Sequence, residues 1–329
     1  MINAAIVGLG GWGRNLVNHT QGKSPKIRFV AGCTRTVEKA KTYGEEKGFP
    51  VTDDYAAILA DPKIDAIVLA TPHTAHAAQV IEAAKAGKHV YCEKPFTLSR
   101  ATAEQAIVAC AEADVTLMVG YNWRYQPALQ EVKRMLDDGR LGTLLHLEGH
   151  FNGPSVYRFP KEHWRPSRDE CPAGGMTGRG CHVVDAMIYL AGHVDSVYAM
   201  SRRLVLDYGL DDTTAMLFTF KGGSSGYLAT IIATAESWRM QICGSKGWAE
   251  MGSIPHLTTW TLRRSYLNQP MEIVEFPGLS TERAELEAFA DAIVERKGLV
   301  NERTDLMNNA DVLDAVVRSV ASGARVAIR

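Results

Sequence analysis

The sequence predicts an α/β protein whose N-terminal part is a doubly wound parallel sheet covered by helices. Two observations support this prediction. From Ile2 to Gly120, short apolar runs alternate with amphipathic helical stretches, as in parallel strands that helices cover on both faces. The first run, Ile2–Val7, breaks into Gly8-x-Gly10-x-x-Gly13, and the residues that follow take helical spacing. This order of strand, glycine turn and helix suits the pyrophosphate of a dinucleotide.

Each glycine of the turn has a physical role. Gly8 makes the tight turn, Gly10 lets the backbone approach the phosphates, and Gly13 lets the helix close on the strand. The helix then directs its N–H groups and the positive end of its dipole at the anion. We therefore predict cofactor-binding residues at Gly8, Gly10, Gly11, Trp12 and Gly13. The alternative is an ordinary strand-to-helix turn that binds nothing.

The rest of the N-terminal part continues the alternation. Further strands are predicted at Ile27–Cys33, Asp65–Ala70, Lys88–Cys92 and Val115–Val119. Helices are predicted near Gly11–Thr20, Val37–Glu46, Tyr55–Leu59, Thr74–Ala86 and Arg100–Ala113. Right-handed crossovers between parallel strands then give the doubly wound arrangement.

The end of the second predicted strand bears on the choice between NAD and NADP. An acidic residue about 20 residues past the glycines usually holds the ribose 2′-hydroxyl of NAD, but this chain has Thr34 and Arg35 there. A carboxylate would repel a 2′-phosphate, whereas a hydroxyl beside a guanidinium would bind it. We predict that Thr34 and Arg35 bind the cofactor and that NADP(H) is favoured over NAD(H). Alternatively, Arg35 is a solvated residue at a helix start.

Two later strand ends are expected to line the ligand crevice, because loops at the carboxyl ends of such strands do so. Thr71 and Pro72 follow one strand and are predicted to border the nicotinamide. His76 lies in the first turn of the next helix. It is a candidate cofactor contact, although packing or helix capping is the simpler explanation.

The other strand end carries Glu93-Lys94-Pro95. Pro95 fixes φ and cannot extend the ladder, so the chain turns there. Glu93 can orient the ammonium of Lys94 for proton transfer, which makes both residues candidate site residues. A surface ion pair at a strand end is the alternative for a bare Glu-Lys pair.

Composition excludes several classes of function. The 36 Lys and Arg residues nearly balance the 37 Asp and Glu residues, which argues against a nucleic-acid partner or an anionic membrane surface. We find neither an apolar run long enough to span a membrane nor a signal peptide. The six cysteines have no C-x-x-C spacing and predict reduced thiols in a cytoplasmic protein. Cys171, Cys181 and His182 fit no zinc pattern, so we predict no metal.

The chain resembles the glucose–fructose oxidoreductase / inositol dehydrogenase (Gfo/Idh/MocA) family in four stretches that follow one another in order. These are Gly8-Leu9-Gly10-Gly11-Trp12-Gly13, the Thr71-Pro72…His76 loop, Ala86-Gly87-Lys88-His89-Val90-Tyr91-Cys92-Glu93-Lys94-Pro95, and Gly180-Cys181-His182-Val183-Val184-Asp185. The resemblance implies an NAD(P)-binding Rossmann domain over residues 1–121. It also implies a C-terminal α/β domain over residues 122–329, with a large, mostly antiparallel open sheet for substrate binding and oligomerisation.

The resemblance also assigns roles. It implies that Lys94 touches the nicotinamide ribose and the substrate, that the Lys94–Pro95 bond is cis, and that His182 points at the reacting hydroxyl or carbonyl. Many relatives carry an aspartate four positions before this histidine, whereas this chain has Gly178. The difference shifts the catalytic prediction to Lys94 and His182.

The second half of the chain predicts a helix, a strand, a further helix that opens over residues 174–182, several short strands and two closing helices. The predicted helices are Pro127–Asp138, Thr281–Lys297 and Thr304–Ser322, and the predicted strands are Thr143–Phe151, several short ones from Asp195 to Phe276, and Val326–Ile328. One face of a strand carries Met216, Phe218 and Phe220, and the other carries Ala215, Leu217 and Thr219. We expect helices to cover one face of the sheet and a second copy of the chain, in a homodimer or homotetramer, to cover the other.

Substrate contacts are predicted in this second half. Residues 152–175 form a long irregular segment rich in Gly, Pro, Arg and aromatics, and such segments are usually functional. Guanidinium groups favour carboxylates or phosphates, and a tryptophan can stack on a sugar face. The predicted substrate-binding residues are Arg124, His163, Trp164, Arg165, Arg179 and Asp185. For the irregular segment, a solvated loop packed through Trp164 is the alternative.

We therefore predict an NAD(P)-dependent oxidoreductase acting on CH–OH groups. Hydride would pass between the nicotinamide and a hydroxyl or carbonyl carbon of a sugar, polyol, sugar acid or cyclic diol, with Lys94 and His182 handling the proton. Two alternatives stay open. One is a non-catalytic NADP-binding sensor, and the other is a hydrolase or lyase that uses transient oxidation by a held nucleotide.

Overall fold

The computed structural model describes residues 1–252 and 260–328, and the chain divides into two compact units. The first unit is Met1–Asn122 together with Ser280–Arg303, and the second is Trp123–Leu279 together with Thr304–Arg329. The boundary after Asn122 lies one residue from the predicted one. Residues 280–303, however, belong to the first unit, whereas the prediction placed all of 122–329 in the second domain. The reason is packing, because the helix in this stretch contacts the first sheet and its first helix.

The first unit is a six-stranded, wholly parallel sheet with strand order β3-β2-β1-β4-β5-β6. The strands are β1 Ile2–Val7, β2 Ile27–Cys33, β3 Val51–Thr52, β4 Ala66–Leu69, β5 His89–Cys92 and β6 Leu117–Val119. The helices of this unit are α1 Gly11–Thr20, α2 Lys41–Lys47, α3 Tyr55–Ala60, α4 His76–Lys85, α5 Arg100–Glu112 and α8 Thr281–Val294. The doubly wound prediction is confirmed, because the strand order reverses direction between β1 and β4.

Local details differ from the predicted elements. The two-residue strand β3 was not predicted, since so short a segment carries no periodicity. The helix predicted over Val37–Glu46 divides into a 3₁₀ turn at Val37–Lys39 followed by α2, and a 3₁₀ turn at His73–Ala75 precedes α4. Such turns commonly tighten helix ends.

The register of the parallel sheet aligns the strand ends. Val7 pairs with Cys33 and with Leu69, and Leu69 pairs with Cys92. The residues that follow these four positions therefore leave the sheet along one edge, where ligands of doubly wound sheets bind.

The second unit is a nine-stranded sheet with order β14-β13-β12-β11-β7-β10-β9-β8-β15. The strands are β7 Leu144–Asn152, β8 Val194–Arg202, β9 Thr213–Phe220, β10 Ser225–Ile231, β11 Ser237–Gly244, β12 Gly247–Gly252, β13 Thr261–Tyr266, β14 Glu272–Glu275 and β15 Val326–Ala327. Its helices are α6 Pro127–Asp137, α7 Cys181–Ala191 and all but the first residue of α9 Arg303–Ser322. Among the strands that the structure describes in this unit, β7 and β10 alone pair in parallel, so the predicted mostly antiparallel sheet is confirmed. The predicted strand-rich stretch from Asp195 to Phe276 includes residues 253–259, which lie outside the described residues.

Side-chain burial alternates along the strands of this sheet. Met216, Phe218 and Phe220 are buried, whereas Leu217 is 55% exposed, which confirms the predicted division of faces. Helix α7 packs on the buried face at β7. Glycine at position 149 allows the close approach, since a Cβ there would lie 2.6 Å from the Val183 Cγ1.

In the part of the chain that the structure describes, no helix is both long and apolar enough to cross a membrane.

Candidate functional site

The glycine turn has the geometry that its sequence predicts. Gly8 has φ of +98°, and a Cβ on it would lie 2.4 Å from the carbonyl oxygen of Ala70. A Cβ on Gly13 would lie 2.0 Å from the carbonyl oxygen of Gly8, so both positions require glycine. At Gly10 and Gly11 a Cβ would meet nothing within 4 Å. The start of α1 is therefore an open stretch of backbone that a pyrophosphate fits.

Beside the turn, the end of β2 carries the residues predicted to select the cofactor. The backbone N–H of Thr34 donates to the Thr52 carbonyl at 2.9 Å, and Arg35 is exposed to solvent. Sequence reasoning missed Arg14. Its Nε donates to the Leu9 carbonyl at 3.2 Å and its Nη2 donates to the Lys39 carbonyl at 2.6 Å. Arg14 therefore ties the glycine turn to the segment after β2.

The loop after β4 is joined to the turn after β5 by His76. Its ring is fully buried, with Nδ1 at 2.9 Å from the Pro95 carbonyl oxygen and Nε2 at 3.1 Å from that of Thr71. Thr71 also donates through its hydroxyl to Gln79 at 2.6 Å, and its neighbour Pro72 is half-buried. The ring thus fixes two loops against each other, and its predicted contact with the cofactor stays a prediction.

The Glu93-Lys94 pair lies at the carboxyl end of β5, and the Lys94–Pro95 bond is cis. Glu93 is only 4% exposed, so the pair is not a surface ion pair. The backbone N–H of Lys94 donates to the Glu93 Oε2 at 3.2 Å, and the Lys94 Nζ lies 5.9 Å from the centre of the Trp12 ring. Burial raises the pKa of Glu93, while Lys94 and Trp12 oppose that rise. The glycine turn and the strand end therefore meet at Trp12.

In the second unit, α7 carries His182 with its ring 5% exposed. The ring stacks on Trp123 with centres 5.2 Å apart and planes inclined by 17°. Trp123 in turn contacts Trp238 and Trp260, at ring-centre distances of 4.6 and 5.3 Å. The sequence could not reveal this aromatic support, because its members come from separate segments of the chain.

Arg124 and Asp185, both predicted to bind substrate, bind each other. The Arg124 Nε and Nη2 donate to the two carboxylate oxygens at 2.8 and 2.7 Å, and Nη2 also donates to Asp305 at 3.0 Å. Asn309 donates to Asp185 at 3.1 Å. Burial alone would lower the pKa of Arg124, but the two carboxylates raise it well above its usual range. Asp305 and Asn309 were missed because they lie on α9, far along the chain.

Arg179 also has partners within the second unit. Its Nη1 donates to the Asn152 carbonyl at 2.7 Å and to Glu236 at 3.2 Å, and its guanidinium lies 4.7 Å from the centre of the Phe151 ring. Burial lowers the pKa of Arg179, an effect that Glu236 opposes. A Cβ on the neighbouring Gly178 would meet nothing within 4 Å. The position where many relatives carry aspartate thus has room for a side chain.

The irregular segment brings three predicted substrate contacts into one stack. The His163 ring lies 4.6 Å from the ring of Phe159 and 5.6 Å from that of Trp164. The Arg165 guanidinium lies 4.7 Å over Trp164 and 5.3 Å over Phe159. Burial and the charge of Arg165 lower the pKa of His163. These side chains, which we call the loop stack (Phe159, His163, Trp164 and Arg165), form a flat aromatic and cationic surface.

No group of three or more His, Cys, Asp or Glu side chains within residues 1–252 and 260–328 is arranged to hold a metal ion.

Comparison with known proteins gives matches in both units. Residues 2–121 match the model of an oxidoreductase family with an NAD-binding Rossmann fold, and residues 129–250 match the GFO/IDH/MocA C-terminal domain. The chain is 26% identical over 326 residues to D-xylose 1-dehydrogenase (NADP(+)) 2 of Haloferax volcanii, covering 98% of each chain. It is 28% identical over 229 residues to trans-1,2-dihydrobenzene-1,2-diol dehydrogenase of Xenopus laevis, covering 69% of this chain and 67% of that one.

A solved structure is similar over the full length. The crystal structure of aldose–aldose oxidoreductase from Caulobacter crescentus, in complex with glycerol, has a TM-score of 0.91 at 25% identity and covers 99% of both chains.

The Arg124–Asp185 pair generates a prediction for stability. Asp185→Asn should lower the free energy of unfolding by about 3 kcal/mol, because it removes the buried carboxylate of the pair and leaves the half-buried guanidinium with one carboxylate fewer. Denaturant unfolding followed by circular dichroism measures the change. As a control, Asp314→Asn removes one partner of the exposed Arg318–Asp314 pair on α9 and should cost less than about 0.5 kcal/mol. Equal losses in the two variants would contradict the assignment of Asp185 to a buried structural pair.

Proposed function

The chain belongs to the Gfo/Idh/MocA family of oxidoreductases, and we propose that it is an NADP-preferring dehydrogenase acting on a sugar-like substrate. Hydride passes between C4 of the nicotinamide and a carbon that bears a hydroxyl or carbonyl group. The observation that carries this proposal is Lys94 beside Trp12 and next to the buried Glu93, at the strand end adjoining an open glycine turn.

The residues of the first unit fit a nicotinamide dinucleotide. The open backbone at Gly10 and Gly11 would hold the pyrophosphate, and Thr71 and Pro72 would border the nicotinamide. The cofactor supplies the hydride chemistry when bound, and the protein supplies position and proton transfer. His76 supports this arrangement, because its ring contacts the carbonyl groups of both Thr71 and Pro95 and so holds the two loops together.

The preference for NADP rests on the end of β2. Arg35 is exposed and carries a positive charge where an NAD-binding chain usually carries a carboxylate. Thr34 beside it offers a hydroxyl to a phosphate. The similar Haloferax volcanii enzyme is named as NADP-dependent, which agrees with this preference.

Lys94 and His182 are proposed to handle the proton. Lys94 projects beside an anionic carboxyl and an indole ring, so its ammonium has a defined place. The His182 ring is held flat against Trp123, which limits its rotation. Histidine suits proton transfer near neutral pH, and a positioned acid or base typically contributes about 10²–10⁴-fold to a rate.

The substrate class follows from the relatives and the loop stack. The similar proteins are named for D-xylose, for trans-1,2-dihydrobenzene-1,2-diol and for aldoses, which have vicinal hydroxyl groups in common. The rings and the guanidinium of the loop stack are the kinds of groups that contact a sugar ring, and His163, Trp164 and Arg165 are proposed to do so here. Arg124, Asp185 and Arg179 have internal partners, and their contacts with substrate stay a prediction.

The outer face of the second sheet is proposed as the contact between copies of the chain. Tyr198, Leu217 and Tyr227 stand side by side across three strands in register, with Met200 52% and Leu217 55% exposed. Next to this apolar patch, Arg239 forms ion pairs with Glu148 and Glu250. An apolar centre with a polar border is typical of subunit interfaces.

We place the enzyme in the cytoplasm, where its six thiols stay reduced.

Cofactor choice is tested by Arg35→Ala. The variant should bind NADP(H) about 10-fold to 100-fold more weakly, since it loses a charge-assisted contact with the 2′-phosphate, and should bind NAD(H) almost unchanged. Fluorescence titration with NADPH and NADH measures both constants. Arg28→Ala, which removes an exposed arginine at the other end of β2, is the control and should affect neither. A similar loss for both cofactors would contradict the NADP assignment.

The role of Lys94 is tested by Lys94→Met, which keeps much of the side-chain volume without the charge. Turnover should fall at least about 100-fold, since the proton donor is lost, while NADPH binding stays within a few-fold of the wild type. A screen of polyols, sugars and hydroxy acids followed by NADPH absorbance supplies the assay. Lys85→Met, an exposed lysine on α4, should behave as wild type. Turnover retained in Lys94→Met would remove Lys94 from the mechanism.

Assembly is tested by sedimentation equilibrium at micromolar concentration, where we expect a dimer or tetramer. Leu217→Glu should shift the protein towards monomer, because it puts a charge inside the proposed apolar contact. Val294→Glu, at an exposed apolar position on α8, should leave the assembly unchanged. A monomeric wild-type protein would refute the proposed interface.

A further inference from the structure

A cluster of buried acidic side chains includes Glu93 and lies next to Lys94, entirely within the first unit. We call Tyr91, Glu93 and Glu285 the acid cluster. Tyr91 and Glu285 are fully buried, and Glu93 is 4% exposed. Glu285 comes from α8, which packs on α1, β2 and β5. Nothing in the sequence places it near the strand end, and the proposed reaction does not yet use it.

The acid cluster is tightly packed around one hydroxyl group. The Tyr91 hydroxyl donates to the Glu93 Oε1 at 3.2 Å. A Cβ at Gly120 would lie 2.3 Å from the Tyr91 hydroxyl oxygen and 3.1 Å from the Glu93 Oε1, so the backbone of Gly120 closes one side. Both carboxyl oxygens of Glu285 are buried and have no hydrogen-bond partner among the described residues, and Tyr91 is close enough to influence the pKa of this carboxyl.

The charges around the cluster are unequal. Glu93 faces the Lys94 ammonium and the Trp12 indole, which favour its anionic form. Glu285 faces Glu93 and Glu282, which disfavour a second anion, and the opposing effect of Lys94 on it is the smallest of its influences. The other titratable groups nearby are Cys92 on β5 and His19 on α1, whose Nδ1 lies 3.8 Å from Glu282.

Burial is the main reason that the pKa values of Glu93 and Glu285 are both raised, and that of Glu285 lies well above its usual range. Two carboxyl groups in one dry site cannot both ionise at neutral pH, and the group on which the cation acts less keeps the proton.

We infer that Glu285 is a positioning residue that works as a neutral carboxylic acid and, through Tyr91, holds Glu93 as the single anion beside Lys94. The hydrogen bonds run in one direction. Tyr91 donates its proton to Glu93, and in the proposed state the neutral Glu285 turns its own proton towards the Tyr91 oxygen. Glu93 accepts at one oxygen from Tyr91 and at the other from the Lys94 backbone N–H, so its carboxyl plane is fixed. The consequence for catalysis rests on the proposed role of Lys94, but the protonation of Glu285 does not.

Thermal unfolding against pH tests the protonation of Glu285 without any substrate. Consider an acid whose pKa is higher in the folded protein than in the unfolded chain. Its contribution to the stability of the fold is complete below the unfolded pKa, which is about 4.3 for Glu. That contribution is lost as pH rises towards the folded pKa. Glu285→Gln removes this titration and keeps the shape. The wild-type Tm should therefore fall relative to the variant by about 3 °C per pH unit as the pH rises above about 4.3.

Glu287→Gln, at a half-buried position on the same helix, is the matched control and should run parallel to the wild type. A constant difference between the wild-type and Glu285→Gln curves would overturn the inference, because it would mean that Glu285 does not hold a proton.

Kinetics test the positioning role. Glu285→Gln should keep kcat and its pH profile within about twofold, since an amide also donates to Tyr91. Glu285→Leu should lower kcat at least about 10-fold with KM for NADP unchanged, because Tyr91 and Glu93 lose their fixed orientation. Full activity in Glu285→Leu, or equal damage in both variants, would contradict the role of a neutral donor.

The two tests separate two kinds of failure. If the Leu variant does not fold, the Gln variant alone decides the kinetic question. If no substrate is turned over even by the wild type, the proposed function fails, while the Tm curves still decide whether Glu285 is neutral.

Discussion

In the turn between β1 and α1, the main chain approaches neighbouring backbone so closely that only glycine fits at positions 8 and 13. A side chain at Gly13 would stand 2.0 Å from the Gly8 carbonyl oxygen, and one at Gly8 would stand 2.4 Å from that of Ala70. This close approach places the first turn of α1 over the carboxyl edge of the sheet. It brings Trp12 to the end of β5, where Lys94 lies. The open backbone for a phosphate and the support for Lys94 therefore depend on one steric constraint.

Buried charge is handled differently in the two units. In the second unit the Arg124 guanidinium is shared by Asp185 and Asp305, so each carboxylate has a cation at hydrogen-bonding distance. In the first unit the acid cluster has more carboxyl groups than cations, and burial favours a proton on one of them. The first arrangement suits a fixed structural pair. The arrangement in the first unit keeps a proton on a carboxyl group near the proposed catalytic Lys94, and a small change in hydrogen bonding there changes the charge of the acid cluster.

The second unit supports its proposed functional side chains with aromatic rings. His182 stacks on Trp123, which two further tryptophans hold in place, and the loop stack joins rings to Arg165. Rings are large and have few rotatable bonds, so they fix a polar neighbour at low entropic cost. The glycine at position 149 contributes as well, because it lets α7, and with it His182, settle close to the sheet.

The sequence by itself determined the parallel sheet, the glycine turn and the strand ends at Thr34, Thr71 and Glu93. These features depend on local periodicity and on backbone angles that neighbouring residues set. Only the tertiary structure decided that Arg124 and Asp185 pair with each other, and that residues 280–303 pack in the first unit. It also brought Glu285 to Tyr91, across most of the length of the chain. Spacing along a helix indicates which residues share a face, but the partner of that face comes from packing between distant segments.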